Sequence, residues 1–88
     1  MRIRVRRTGG FAGIERRAEV DTAARPDADV WHALAERVLA SGHGTPPPGV
    51  PDGFRYEITV DGRTVYAADP RLTVEQRELV SRVLKEGA

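Results

Sequence analysis

The dipeptide Asp61-Gly62 constrains the fold of this chain more than any other feature. Residues 54–60 before it and 63–67 after it alternate between apolar and polar side chains. An Asp-Gly pair between two alternating runs is typical of a β-hairpin with a two-residue turn, so the sequence predicts two antiparallel strands here. Such a turn fixes two cross-strand pairs on the buried face of the hairpin, Ile58 with Val65 and Tyr56 with Ala67.

A second hairpin is predicted at the start of the chain, because residues 2–7 and 14–20 alternate as well. Its apolar face would carry Ile3, Val5, Ile14, Ala18 and Val20, with Arg16 as an exception to the pattern. The glycine-rich segment 8–13 would form the turn. Opposite charges favour a register in which two pairs face each other, Arg6 with Glu15 and Arg2 with Glu19.

Two segments have the apolar spacing of amphipathic helices. In the first, apolar residues recur between Val30 and Leu39; Pro26 suits its first turn, and Gly42 marks its end. The second begins at Thr73, which together with Gln76 forms the sequence signature of a capping box. Its apolar stripe consists of Val74, Leu79, Val80, Val83 and Leu84, and Gly87 lies past its end.

These elements predict an α+β fold in the order β-β-α-β-β-α. A four-stranded antiparallel sheet would carry both helices on one face. Residues 1–88 would form a single domain with a Pro/Gly-rich surface loop at 43–53. The core is expected to contain Trp31, Leu34, Val38, Leu79, Val83, Ile3, Val5, Tyr56 and Ile58.

The composition argues against an enzyme and against a membrane protein. The chain has no cysteine, and its two histidines, His32 and His43, lack a recognisable third metal ligand. Neither Ser41 nor Ser81 lies in a nucleophile motif. We therefore expect no catalytic residue, metal or cofactor. Since the sequence shows neither an apolar membrane span nor a secretory signal, we also expect a cytoplasmic protein.

The N-terminal hairpin is rich in arginine, which raises the alternative of a module that binds nucleic acid or another protein. The net charge of the whole chain is only +1, however, and Glu15 and Glu19 interrupt the basic face. The strands of this hairpin also lack the aromatic residues on which bases stack. We therefore favour a solvated, cross-paired face and expect no nucleic-acid partner.

Phe11 stands out because a large apolar side chain lies at the tip of a glycine-rich turn. It could fold back over the sheet edge or onto a helix. Alternatively, it could be held out as an anchor for a pocket of a partner protein, since buried aromatic anchors dominate many interfaces. The residues alone favour neither interpretation.

The segment Met1–Ile14, with Arg-Thr-Gly-Gly-Phe-Ala-Gly at 7–13 as its specific part, resembles the opening of the emfourin (protealysin inhibitor) family. Residues 54–60, Phe-Arg-Tyr-Glu-Ile-Thr-Val, resemble the second hairpin of that family. The resemblance implies an inhibitor of thermolysin-like zinc metalloproteases, with a protealysin-like protease as its partner. It makes the turn the candidate protease-binding site: Thr8, Gly9, Gly10, Phe11, Ala12 and Gly13.

Overall fold

A computed structural model describes residues 1–10, 13–46 and 53–88 of the chain. A 3-10 turn, Thr22–Ala24, joins the first hairpin to the first helix. The order confirms the predicted β-β-α-β-β-α arrangement. Its elements are β1 (Arg2–Gly9), β2 (Arg16–Asp21), α1 (Ala28–Ser41), β3 (Phe54–Val60), β4 (Arg63–Ala68) and α2 (Val74–Glu86).

The four strands form one antiparallel sheet in the order β2-β1-β3-β4. Helix α2 packs against β1 and β2, α1 packs against β4, and the helices contact each other. They cover one face of the sheet and leave the other face open, as predicted. All nine residues expected in the core are buried in a single apolar cluster.

The β3–β4 hairpin has the predicted register, with Ile58 opposite Val65 and Tyr56 opposite Ala67. Asp61 and Gly62 both have positive φ values, 46° and 85°, as a type I′ turn requires. Asp61 also exchanges two hydrogen bonds with the main chain of Arg2, one through its carboxylate at 2.8 Å and one through its amide at 3.0 Å. The turn is thereby joined to the start of β1.

The predicted register of the first hairpin is wrong by two residues. The structure places Val20 opposite Ile3 and Ala18 opposite Val5, whereas the predicted register would have placed Arg16 opposite Val5. The observed register keeps apolar side chains together in the core and places Arg16 at the end of the β1–β2 pairing. Ile14, expected on the apolar face, precedes β2 and is 67% exposed.

Helix boundaries differ from the prediction by small amounts. Helix α1 begins at Ala28, two residues after Pro26, and its Val30 is half exposed. The Thr73–Gln76 capping box is confirmed, with hydrogen bonds of 2.9 and 3.1 Å between the two residues. Val74, the first residue of α2, is 79% exposed and does not belong to the apolar stripe. Burial in α2 begins two residues later, at Gln76, which is 3% exposed.

The predicted surface loop at 43–53 is described at its two ends, and residues 47–52 lie outside the described residues. At its start, His43 forms an isolated β-bridge with Tyr66 on the outer edge of β4. The Tyr66 amide donates to the His43 carbonyl oxygen at 2.8 Å. This contact partly covers an edge strand that would otherwise present free main-chain groups.

Candidate functional site

The candidate loop lies at one end of the sheet, where β1 leads toward β2. Strand β1 is longer than predicted, because Thr8 and Gly9 pair with Arg55 and Phe54 of β3. These two candidate site residues are therefore part of a strand. Gly10 and Gly13 flank the next part of the loop, and the remaining two candidates, Phe11 and Ala12, lie outside the described residues.

Hydrogen bonds hold the described part of the loop. The Gly13 amide donates to the Gly10 carbonyl oxygen at 3.3 Å. The Gly10 amide donates to the carbonyl oxygen of Gly53, just before β3, at 3.1 Å. Gly10 and Gly13 are thus joined to each other, and Gly10 is also fixed to the neighbouring chain segment.

Gly9 and Gly10 have both a conformational and a steric reason to be glycine. Their φ values are +87° and +74°, in the left-handed region that side chains disfavour. A Cβ atom on Gly9 would lie 2.8 Å from the Gly53 oxygen, and one on Gly10 would overlap the Phe54 ring. The main chain of the candidate loop therefore lies directly against residues 53 and 54.

Ion pairs surround the base of the loop on the open face of the sheet. The Arg6 guanidinium lies 3.1 Å from Glu15 and 3.6 Å from Glu57, and Arg17 lies 3.2 Å from Glu15. The hydrogen bond from Arg6 lowers the pKa of the Glu15 carboxyl. Because acids alternate with arginines here, this surface carries mixed charge rather than a continuous basic patch.

On the opposite face, aromatic residues and an arginine lie next to the loop. The Arg7 guanidinium carbon lies 4.2 Å from the centre of the Phe54 ring, and the Phe54 and Tyr56 ring centres are 6.3 Å apart. Burial, followed by the negative charge of Asp69, raises the pKa of the Tyr56 hydroxyl. The sequence predicts a strand at Phe54 but not the contact of Phe54 with Gly10, because no local pattern shows that β1 pairs with β3.

The described residues contain no group of three or more His, Cys, Asp and Glu side chains placed to hold a metal ion. The His32 ring nitrogen Nε2 lies 2.9 Å from the hydroxyl of Thr22, which is fully buried, so His32 joins α1 to the 3-10 turn. The Ser41 hydroxyl donates to the Arg37 carbonyl oxygen at 3.0 Å. Within ranges 1–10, 13–46 and 53–88, no helix has the length and apolar character needed to cross a membrane.

A protein-family model for Emfourin matches residues 5–84. The match includes all four strands, apart from the first residues of β1, and most of α2. Searches of curated proteins and of solved structures returned no match. Since the family model spans nearly the whole fold and the candidate loop, the chain belongs to the emfourin family, which implies a role as a protease inhibitor.

Proposed function

We propose that this protein inhibits thermolysin-like zinc metalloproteases, such as a protealysin-like enzyme, by occluding the active-site cleft with the Thr8–Gly13 loop. The observation that carries this proposal is the fixation of the described part of the loop. Thr8 and Gly9 are paired within the sheet, and Gly10 is hydrogen-bonded to both Gly53 and Gly13. A loop whose ends are held in this way loses less conformational entropy on binding than one with free ends, which favours affinity.

Phe11 is the proposed anchor of the interaction. Thermolysin-like enzymes have an apolar pocket beside the zinc that prefers bulky side chains, and a phenylalanine side chain suits such a pocket. The flanking glycines lack side chains, so the main chain can approach the walls of a narrow cleft closely. Burying one aromatic ring in a desolvated pocket supplies a large part of the binding energy in many interfaces.

Occlusion explains inhibition better than capture of the zinc ion by a side chain. The loop contains no Cys, His, Asp or Glu and therefore offers zinc no strong side-chain ligand. The Thr8 hydroxyl and the main-chain carbonyl oxygens are the weaker ligands that the loop can supply. On this proposal the inhibitor blocks access of substrate and leaves the zinc ion bound to the protease.

A non-inhibitory interaction module, binding nucleic acid or another protein through the basic hairpin, is the competing proposal. The ion pairs on the open face argue against a nucleic-acid partner. Arg2 lies 2.9 Å from Glu19, and Arg6 lies 3.1 Å from Glu15, so part of the basic charge is neutralised within the sheet. The same glutamates would repel a phosphate backbone that follows the face.

The proposal is tested by titrating the protein into thermolysin and into a protealysin, with a serine protease as the control. We expect inhibition of a metalloprotease and unchanged activity of the serine protease. A fluorescently labelled single-stranded oligonucleotide, measured by anisotropy at physiological salt, tests the competing proposal. Full activity of both metalloproteases at a large molar excess of the protein would overturn the proposed function.

A further inference from the structure

We infer that Phe54 is a positioning residue for the Thr8–Gly13 loop and that the Arg7 guanidinium holds its ring in place. The inference rests on the proposed function, because it assigns a role within the same site. Phe54 and Arg7 lie outside the loop, and they contribute to inhibition by fixing the position of Gly10. Three features support it: the close contact of the ring with Gly10, the Arg7 guanidinium over the ring, and the pairing of β1 with β3.

The ring of Phe54 forms the surface on which Gly10 lies. A Cβ atom built on Gly10 would overlap the ring and would be 3.0 Å from two of its carbon atoms, Cδ1 and Cζ. The Gly10 main chain and the ring are therefore in direct contact, without room for a side chain between them. Together with the Gly10–Gly53 hydrogen bond, this contact sets the position from which the loop continues.

The main chain of Phe54 is itself firmly held at the start of β3. Its amide donates to the Asp69 carboxylate at 3.2 Å, and its carbonyl oxygen accepts from the Asp69 amide at 2.9 Å. On the other side it pairs with Gly9 of β1. The loop is thus connected, through one residue, to the segment that follows β4.

Arg7 packs on the Phe54 ring at a cost in hydrogen bonding. It follows Ile3 and Val5 on the helix-covered face of β1, and its guanidinium carbon lies 4.2 Å from the ring centre. Its Nε atom is buried and has no hydrogen-bond partner among the described residues. A planar guanidinium stacks on an aromatic face as a lysine ammonium does not, so stacking offsets part of this cost.

The ring therefore contacts both the Arg7 guanidinium and the Gly10 main chain. Removing the ring leaves the Gly10–Gly53 hydrogen bond without this packing and allows the loop to sample other positions. Additional conformations in the free inhibitor must be given up on binding. A loss of roughly 1.4 kcal/mol would raise the inhibition constant about tenfold.

The first test compares Phe54→Ala with Val60→Ala. Val60 is buried at the opposite end of the same strand. Its truncation should therefore destabilise the sheet without removing a contact with the loop. We expect Phe54→Ala to raise the inhibition constant about tenfold and to speed hydrogen exchange of the Gly13 amide. Val60→Ala should change neither quantity at temperatures where the variant remains folded. Phe54→Leu is the milder variant if Phe54→Ala does not fold.

The second test uses the steric overlap between Gly10 and Phe54. In the parent protein, Gly10→Ala introduces both a methyl group that overlaps the ring and a disfavoured φ value. In the Phe54→Ala background only the second effect remains. We therefore expect Gly10→Ala to weaken inhibition by a smaller factor in that background than in the parent. Equal factors in both backgrounds would show that the ring does not place Gly10.

The two proposals can fail separately. Hydrogen exchange at Gly13 reports loop order in the free protein, whether or not a protease is inhibited. If the parent inhibits no metalloprotease, the proposed function is wrong, and the exchange data still decide the positioning role. If Phe54→Ala leaves Gly13 exchange and inhibition no more affected than Val60→Ala does, the positioning role is wrong while the inhibitory function stands.

Discussion

The guanidinium of Arg16 donates a hydrogen bond of 2.7 Å to the main-chain carbonyl oxygen of Leu84. It connects the first residue of β2 to the last turn of α2, where carbonyl groups lack helical partners and the helix end favours positive charge. Glu19 and Ala88 exchange two main-chain hydrogen bonds of 3.1 Å nearby. The outer strand of the first hairpin is therefore fastened to the end of α2 at two points.

Replacing Arg16 with methionine should lower the free energy of unfolding by roughly 1 kcal/mol, because a charge-assisted hydrogen bond to the helix end is lost. Methionine keeps much of the apolar length of the side chain. Arg17→Met is the matched control: Arg17 contacts Glu15 on the exposed face, and its loss should cost less than about 0.5 kcal/mol. Urea unfolding of both variants measures the difference. Equal effects would mean that the contact with Leu84 contributes nothing.

Leu34→Ala should lower the free energy of unfolding by about 2–5 kcal/mol, because Leu34 is buried between α1 and the rest of the core. The control is Val30→Ala, one turn earlier on the same helix, where the side chain is 50% exposed. Its effect should stay near 0.5 kcal/mol. Denaturant unfolding of the two variants measures both values, and a loss below about 1 kcal/mol for Leu34→Ala would contradict the described core.

Acid should weaken the contact between Arg6 and Glu15. The pKa of Glu15 is lowered in the folded protein from its ordinary value of 4.5, mainly by the hydrogen bond from Arg6. The contribution is therefore fully present above pH 4.5 and is lost as the pH falls through the lowered pKa. Melting temperatures of the parent and Glu15→Gln should differ most above pH 4.5 and converge in stronger acid. A difference that grows in acid would contradict this assignment.

Local sequence patterns predicted the elements of the fold well, since turns, caps and apolar periodicity depend on neighbouring residues. The Asp61-Gly62 turn and the Thr73–Gln76 capping box are examples, and both occur as predicted. The register of the first hairpin was wrong because it was chosen from directly opposed charges. Arg6 reaches Glu15 although its Cα partner is Arg17, since a long side chain can span a diagonal position.

The environment of the candidate loop could not be predicted from the sequence. It depends on the pairing of β1 with β3, which brings Gly9 opposite Phe54 and Gly10 against its ring. These residues are more than forty positions apart, and no short-range pattern links them. The same pairing extends β1 through Thr8 and Gly9, which had been expected in the turn.

In the proposed function, the Thr8–Gly13 loop inhibits the protease and Phe11 is its anchor. Truncation of an anchoring aromatic residue costs roughly 2–4 kcal/mol of binding free energy, or about 30- to 1000-fold in the inhibition constant. An anchor held out for a partner contributes little to the fold. Phe11→Ala should therefore weaken inhibition without a matching loss of thermal stability.

The most direct test measures the inhibition constant and the melting temperature of Phe11→Ala beside the parent, against a metalloprotease that the parent inhibits. We expect an inhibition constant about 30- to 1000-fold higher and a melting temperature within a few degrees of the parent. Parent-like inhibition would contradict the role of Phe11 as anchor. A melting temperature many degrees lower would instead show that Phe11 supports the fold and affects inhibition indirectly.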